Sequence, residues 1–207
     1  MIESDFLVVG RMVMKNKKAL LIIDVQNDFC PGGALGVPLG DKVVPVINKY
    51  CKVFSKKKLS VFATCDWHPI RASHFKDFGG SWPVHCLQNS KGAAFHPALK
   101  LPKETVVLYK GMDPAQDSYS AFQAEDTRGI QFAQLLHMEK ITELYVGGLA
   151  TDYCVKSSVL DALKKSFKVK LLMDAMRGVD VHPGDSERAI KKMLKHGAKK
   201  ITFKNAA

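Results

Sequence analysis

Residues 141–165 read ITELYVGGLATDYCVKSSVLDALKK. Ile141–Val146 is a short apolar run of the kind that fills a buried strand. Gly147-Gly148 then offers a turn. From Asp152 to Ser166, Val155, Val159, Ala162 and Leu163 recur at three- and four-residue spacing, the period of a helix with one apolar face. Strand, turn and amphipathic helix in succession form half of a βαβ unit, so the reading predicts a parallel sheet.

Moving outward, the same alternation recurs. Ala19–Asp24, Leu59–Cys65 and Thr105–Tyr109 precede the quoted stretch as apolar runs, Val169–Met173 follows it, and a weaker run, Lys200–Phe203, comes last. Amphipathic stretches lie at Lys42–Ser55, Thr127–His137 and Asp185–His196, the last followed by Gly197 as a stop signal. Strands apolar on both faces belong to a sheet covered on both sides. The predicted fold is therefore α/β: a three-layer α/β/α sandwich around a mostly parallel, about six-stranded sheet. Asp66–Glu104 carries no periodicity and is rich in Pro, Gly and Trp. Loops that long in a compact domain usually serve function.

A chain of 207 residues suits one domain with a full core, and 46% hydrophobic with 25% charged residues is an ordinary globular balance. No apolar run approaches the ~20 residues that span a bilayer, so no membrane role is expected. The stretch 1–16 lacks a signal-peptide core and is expected to be an extension outside the domain, with 17–207 a single unit. The net charge of +11 is spread in short lysine groups at element ends and on polar helix faces. That distribution argues against nucleic-acid binding. Five cysteines without a C-x-x-C pair suggest reduced thiols and a cytoplasmic location.

In parallel sheets, ligands bind beyond the carboxyl ends of the strands. Asp24 ends the first run, Asp66 and His68 follow the second, Lys110 follows the third, and Asp174 ends the fifth. Cys154 opens the helix after the fourth, with Thr151 placed as its N-cap. A thiol there meets free N–H groups that favour a thiolate and can hold an oxyanion; it also suits a small buried apolar residue. Asp24 can take the thiol proton and deliver it to a leaving group, or serve as a turn cap. Lys110 can hold thiolate and carboxylate together, or lie solvated at the surface. Cys51 falls on an apolar helix stripe and Cys65 inside a strand, while Cys30 and Cys86 lie in loops. Asp66, His68, His74 and His85 supply one carboxylate and three imidazoles within 20 residues. That set suits Zn²⁺, Fe²⁺ or Mn²⁺. His96, His137, His182 and His196 lack such company and read as structural.

The segments D-V-Q-N-D-F (24–29), D-W-H-P (66–69), W-P-V-H-C-L-Q-N-S (82–90), Lys110-Gly111, S-Y-S-A-F (118–122) and G-L-A-T-D-Y-C-V (148–155) occur in this order. Together, over about residues 17–204, they resemble the nicotinamidase/pyrazinamidase branch of the isochorismatase-like hydrolases. The resemblance implies a metal-dependent cysteine amidohydrolase. It would turn nicotinamide into nicotinate and ammonia through a thioester, feed NAD salvage and also accept pyrazinamide. It implies Asp24, Lys110 and Cys154 as the catalytic triad, and Asp66, His68 and His85 as ligands of one divalent metal, zinc foremost, with iron or manganese as alternatives. Where many members have a serine before the phenylalanine of this loop, the run here is D-W-H-P-I-R-A-S-H-F. The mycobacterial type has a ligating histidine at that place, so the resemblance assigns His74, not Ser73, as fourth ligand. It further implies a cis Leu149–Ala150 peptide, an oxyanion hole from the N–H groups of Ala150 and Cys154, and aromatic walls from Phe29, Trp82 and Tyr119. A homo-oligomer is compatible with it. Other cysteine amidohydrolases of this superfamily lack the metal set, a pure binding protein has no use for the triad, and isochorismatase itself needs no cysteine.

Overall fold

The structure is a computed structural model that describes residues 17–206; the expected 1–16 extension lies outside the described residues. Among the described residues, six strands form one sheet: β1 (Lys17–Ile23), β2 (Ser60–Asp66), β3 (Val106–Lys110), β4 (Ile141–Leu149), β5 (Lys168–Arg177) and β6 (Lys199–Ile201). Their order is β3-β2-β1-β4-β5-β6, and every neighbouring pair is parallel. The order reverses between β1 and β4, which opens a crevice at their carboxyl ends.

Helices α1 (Val43–Lys56), α2 (Phe132–Met138), α3 (Lys156–Lys164) and α4 (Asp185–Lys195) cover the sheet, and a short α5 (Phe203–Ala206) closes it. Leu20 and Ile22 of β1 pack with the α1 stripe of Val43, Val44, Ile47, Cys51 and Phe54 on one face. Ala19, Leu21 and Ile23 pack with Phe132, Val155, Val159 and Met193 on the other. This alternation of a fully buried strand is what the unbroken apolar run Ala19–Ile23 encodes. Each buried Leu or Ile contributes roughly 1.5–3 kcal/mol. Among the described residues, no helix is long and apolar enough to cross a membrane.

Several boundaries differ from those expected. Gly147 and Gly148 are not a turn but the end of β4, where Gly148 has φ +124° and a Cβ would overlap the Ile23 backbone. The strand therefore needs glycine to approach β1. The helix expected from Thr127 starts only at Phe132, because the Asp126 carboxylate accepts the N–H groups of Arg128 and Ile130 and holds a turn. β5 runs past Asp174 to Arg177, with an irregular register opposite Val146 and Gly148. Asp174 is therefore mid-strand and accepts from Tyr50 Oη at 3.2 Å and Phe203 N at 2.8 Å, away from the sheet edge assigned to it.

Candidate active site

The carboxyl ends of four strands meet here. Lys110 lies opposite Asp66 across β3 and β2, and Ile23, just before Asp24, lies opposite Gly148 across β1 and β4. Asp24, Asp66 and Lys110 are almost completely buried. The Lys110 ammonium sits 3.0 Å from Asp24 Oδ2 and 3.5 Å from Cys154 Sγ, donates to Ser118 O at 3.1 Å, and forms a close ion pair with Asp66 Oδ1. Asp24, Asp66 and Cys154 each present an atom within 4.8 Å of the others. The surface-lysine and turn-cap readings of Lys110 and Asp24 therefore give way to one buried cluster.

Two oxygens of one carboxylate are distinguished here. Asp24 Oδ1 accepts the Thr64 hydroxyl at 2.6 Å. Among the described residues, Asp24 Oδ2 has no aligned hydrogen-bond donor besides its contact with the ammonium, which leaves a lone pair for the thiol proton. Burial raises both the Asp24 carboxyl and the Cys154 thiol, and Lys110 opposes each rise. The thiol is thus a proton donor awaiting a base, and the raised carboxyl is a base able to hold that proton. Burial works against the Lys110 charge, but Asp24 and Asp66 outweigh it and hold the ammonium well above its usual range.

Cys154 sits in a π-helical turn, Thr151–Val155, that leads into α3. Thr151 is not the N-cap: Ala150 occupies that position, and its carbonyl accepts from Tyr153 N and Val155 N, each at 3.1 Å. The wide turn brackets Cys154 without using its N–H on that carbonyl. The Leu149–Ala150 peptide is cis. Asp152 accepts from Val179 N and Asp180 N, tying the turn to the β5–α4 loop. All five cysteines are free and buried.

His68, His74 and His85 bring one ring nitrogen each within 4.8 Å of one another. Asp66 joins this group to the triad: Oδ1 faces Lys110, and Oδ2 faces His68 Nε2 at 3.6 Å. Lys110 and then His68 overcome the effect of burial and hold Asp66 far below the usual carboxylate range. His68 Nδ1 lies 2.9 Å from Gly111 O and His85 Nδ1 2.8 Å from Pro83 O, so each ring turns Nε2 inward. Among the described residues, both nitrogens of the buried His74 lack a hydrogen-bond partner. Inward nitrogens locked from behind, a buried imidazole with none and an adjacent carboxylate are a donor set that a divalent metal would satisfy. Burial lowers His74 to about 4 and also lowers His85, so both are neutral and able to ligate.

A pocket of about 510 Å³, counting its open mouth, lies between the two groups. Phe29, Trp82, Tyr119, Ala150, Tyr153 and Cys154 are among the residues that line it. Trp82 Nε1 donates to Tyr119 Oη at 2.8 Å, and the Trp82 and Tyr153 rings meet edge to face at 5.1 Å. The sequence reading missed Thr64, Gln26, Asp117 and Tyr153. Gln26 is fully buried; its Nε2 donates to Asp66 O and Ala93 O, each at 2.8 Å, and its Oε1 accepts Asp66 N at 2.9 Å. A lone Gln within D-V-Q-N-D-F and a lone Thr inside an apolar strand were the available signals.

The isochorismatase domain model matches residues 18–204. A nicotinamidase of Escherichia coli (strain K12) is 42% identical over 90% of this chain and 95% of its own. The pyrazinamidase of Pyrococcus horikoshii, solved in complex with zinc, superposes with a TM-score of 0.84 at 42% identity, covering 90% of this chain and 99% of the other. A protein from L. infantum solved in complex with nicotinate gives a TM-score of 0.80 at 33% identity, covering 92% and 94%.

Proposed function

This chain belongs to the isochorismatase family, and we propose that it hydrolyses nicotinamide to nicotinate and ammonia. The observation that carries the reading is the buried cluster of Cys154, Asp24 and Lys110, of which Cys154 lines a pocket whose other wall is the three-histidine group. The relatives' names and the nicotinate in a related structure support the substrate.

Cys154 Sγ attacks the carboxamide carbon as its proton passes to Asp24 Oδ2. The N–H groups of Ala150 and Cys154 stabilise the tetrahedral oxyanion. Asp24 returns the proton to the leaving nitrogen, which departs as ammonia and leaves a thioester. Asp24 then deprotonates a water that attacks the thioester carbon, and the thiol is regenerated. Lys110 keeps the developing negative charges in register. Phe29, Trp82 and Tyr119, with Tyr153, hold the flat ring.

Asp66, His68, His74 and His85 would hold one divalent metal, and three imidazoles with one carboxylate suit zinc, with iron or manganese as alternatives. When bound, the metal supplies a Lewis acid for the ring nitrogen. Pyrazinamide presents the same carboxamide on a ring with one more nitrogen and is a second substrate. Residues 17–207 form the single hydrolase domain, and its place is the cytoplasm, where free thiols persist. Ammonia release from nicotinamide by the purified protein, with elemental analysis alongside, tests the reading. A full ammonia yield supports it, while an inactive protein holding one equivalent of metal would leave the chain a binding protein.

A further inference from the structure

The three clustered histidines are not supported alike. His68 and His85 each have Nδ1 fixed by a backbone carbonyl, Gly111 O and Pro83 O. Among the described residues no carbonyl serves His74, and its ring nitrogens both lack a hydrogen-bond partner although the residue is buried. The acceptor that faces it is the carboxylate of Asp117: His74 Nδ1 lies 3.4 Å from Asp117 Oδ1. The other oxygen of Asp117 accepts from Tyr119 Oη at 3.4 Å, and Tyr119 Oη itself accepts from Trp82 Nε1 at 2.8 Å.

We infer that Asp117 is the positioning residue for His74, holding its Nδ1–H so that Nε2 is offered to the metal, and that it ties this ligand to the aromatic wall formed by Tyr119 and Trp82. The inference rests on the metal reading given above. An imidazole that ligates through one nitrogen needs an acceptor at the other to fix its tautomer and ring plane, and a carboxylate also strengthens its basicity. Asp117 is placed for this by its own backbone. Gln123 Nε2 donates to Asp117 O at 3.4 Å, and Lys110 Nζ donates to the next carbonyl, Ser118 O. Ser73 N donates to Pro114 O at 2.8 Å, pinning the histidine loop to the Asp117 loop. About half of the Asp117 side chain is exposed, so its replacement leaves the core untouched.

The test is zinc affinity, measured by competition against a chromophoric chelator, for the wild type, Asp117→Ala, Asp117→Asn, His74→Ala and the double variant His74→Ala/Asp117→Ala. The expected result is one zinc per chain in the wild type and a roughly ten- to hundredfold loss in Asp117→Ala. Asp117→Asn, which keeps an acceptor oxygen but not the charge, should fall between. In the His74→Ala background, removing Asp117 should cost no further affinity, because the carboxylate acts through that ring. Equal affinity in the wild type and Asp117→Ala overturns the inference, as does an undiminished effect of Asp117→Ala when His74 is already gone. A wild type with no zinc site overturns the metal reading itself, and this inference with it.

Discussion

The Lys110 ammonium is almost completely buried, and its neighbours are two carboxylates, a carbonyl and a thiol. Removing the charge leaves Asp24 and Asp66 as uncompensated buried anions. Lys110→Met should therefore lower unfolding stability by about 3–5 kcal/mol in urea titration, in addition to abolishing turnover. Unchanged stability would show that the two carboxylates share a proton instead of a cation. Cys154→Ala tests chemistry without that penalty. It deletes one sulfur while leaving the ion pairs of Lys110 with Asp24 and Asp66 in place, so the fold should persist while ammonia release falls roughly 10⁴-fold or more. Ordinary turnover in this variant would reject the nucleophile. Gly111 offers a third case. Its φ is +71°, and a Cβ there would overlap the His68 ring. Gly111→Ala should displace that ligand and weaken zinc binding at least tenfold in chelator competition, with kcat lost in proportion.

At the level of elements, the apolar stripes carry the architecture. Ile47 of α1 is completely buried against the face of β1 that presents Leu20 and Ile22. Ile47→Ala should cost about 2–5 kcal/mol of unfolding free energy, and a loss under 1 kcal/mol would mean that α1 can settle onto the sheet without it. That stripe was legible in the sequence because a helix period and a buried strand leave unambiguous patterns. The titratable strand ends Asp24, Asp66 and Lys110, with Cys154 in the turn after β4, were legible for a related reason: ionisable groups gathered at one edge of an apolar sheet need a purpose. What escaped was whatever depends on local backbone exceptions. Gly147-Gly148 was read as a turn because nothing in composition separates a turn glycine from one admitting a neighbouring strand. Asp174 was placed at a strand end because the irregular register of β5 moves its boundary by three residues. The start of α2 was misjudged because Asp126 diverts the chain by side-chain bonding before the helix begins. Asp117 left no trace at all, since an exposed loop carboxylate acquires meaning only from the imidazole folded beside it.

For the molecule as a whole, the histidine group links acidity, metal and stability. In protein stripped of metal, burial lowers His74 from 6.5 to about 4 and lowers His85 as well. At His74 the unfolded chain thus takes up a proton near pH 6.5 that the folded chain refuses until near pH 4. The unfolded state binds more protons through this window, so stability is fully present above pH 6.5 and declines as the pH falls toward 4. Asp24 acts in the opposite sense, because its carboxyl is raised on folding and acidification favours the folded form there. A difference measurement removes that opposing contribution: His74→Gln keeps Asp24 but deletes one titrating imidazole. Thermal midpoints of the metal-free proteins should therefore fall less steeply between pH 6.5 and 4 for His74→Gln than for the wild type. Added zinc should raise the wild-type midpoint most above pH 6.5 and progressively less below it, since protons and metal compete for the same nitrogens and only the folded chain presents them together. Parallel pH curves for the two proteins would mean that His74 keeps its ordinary basicity in the folded state. A zinc shift that does not change with pH would place the metal on ligands other than these histidines.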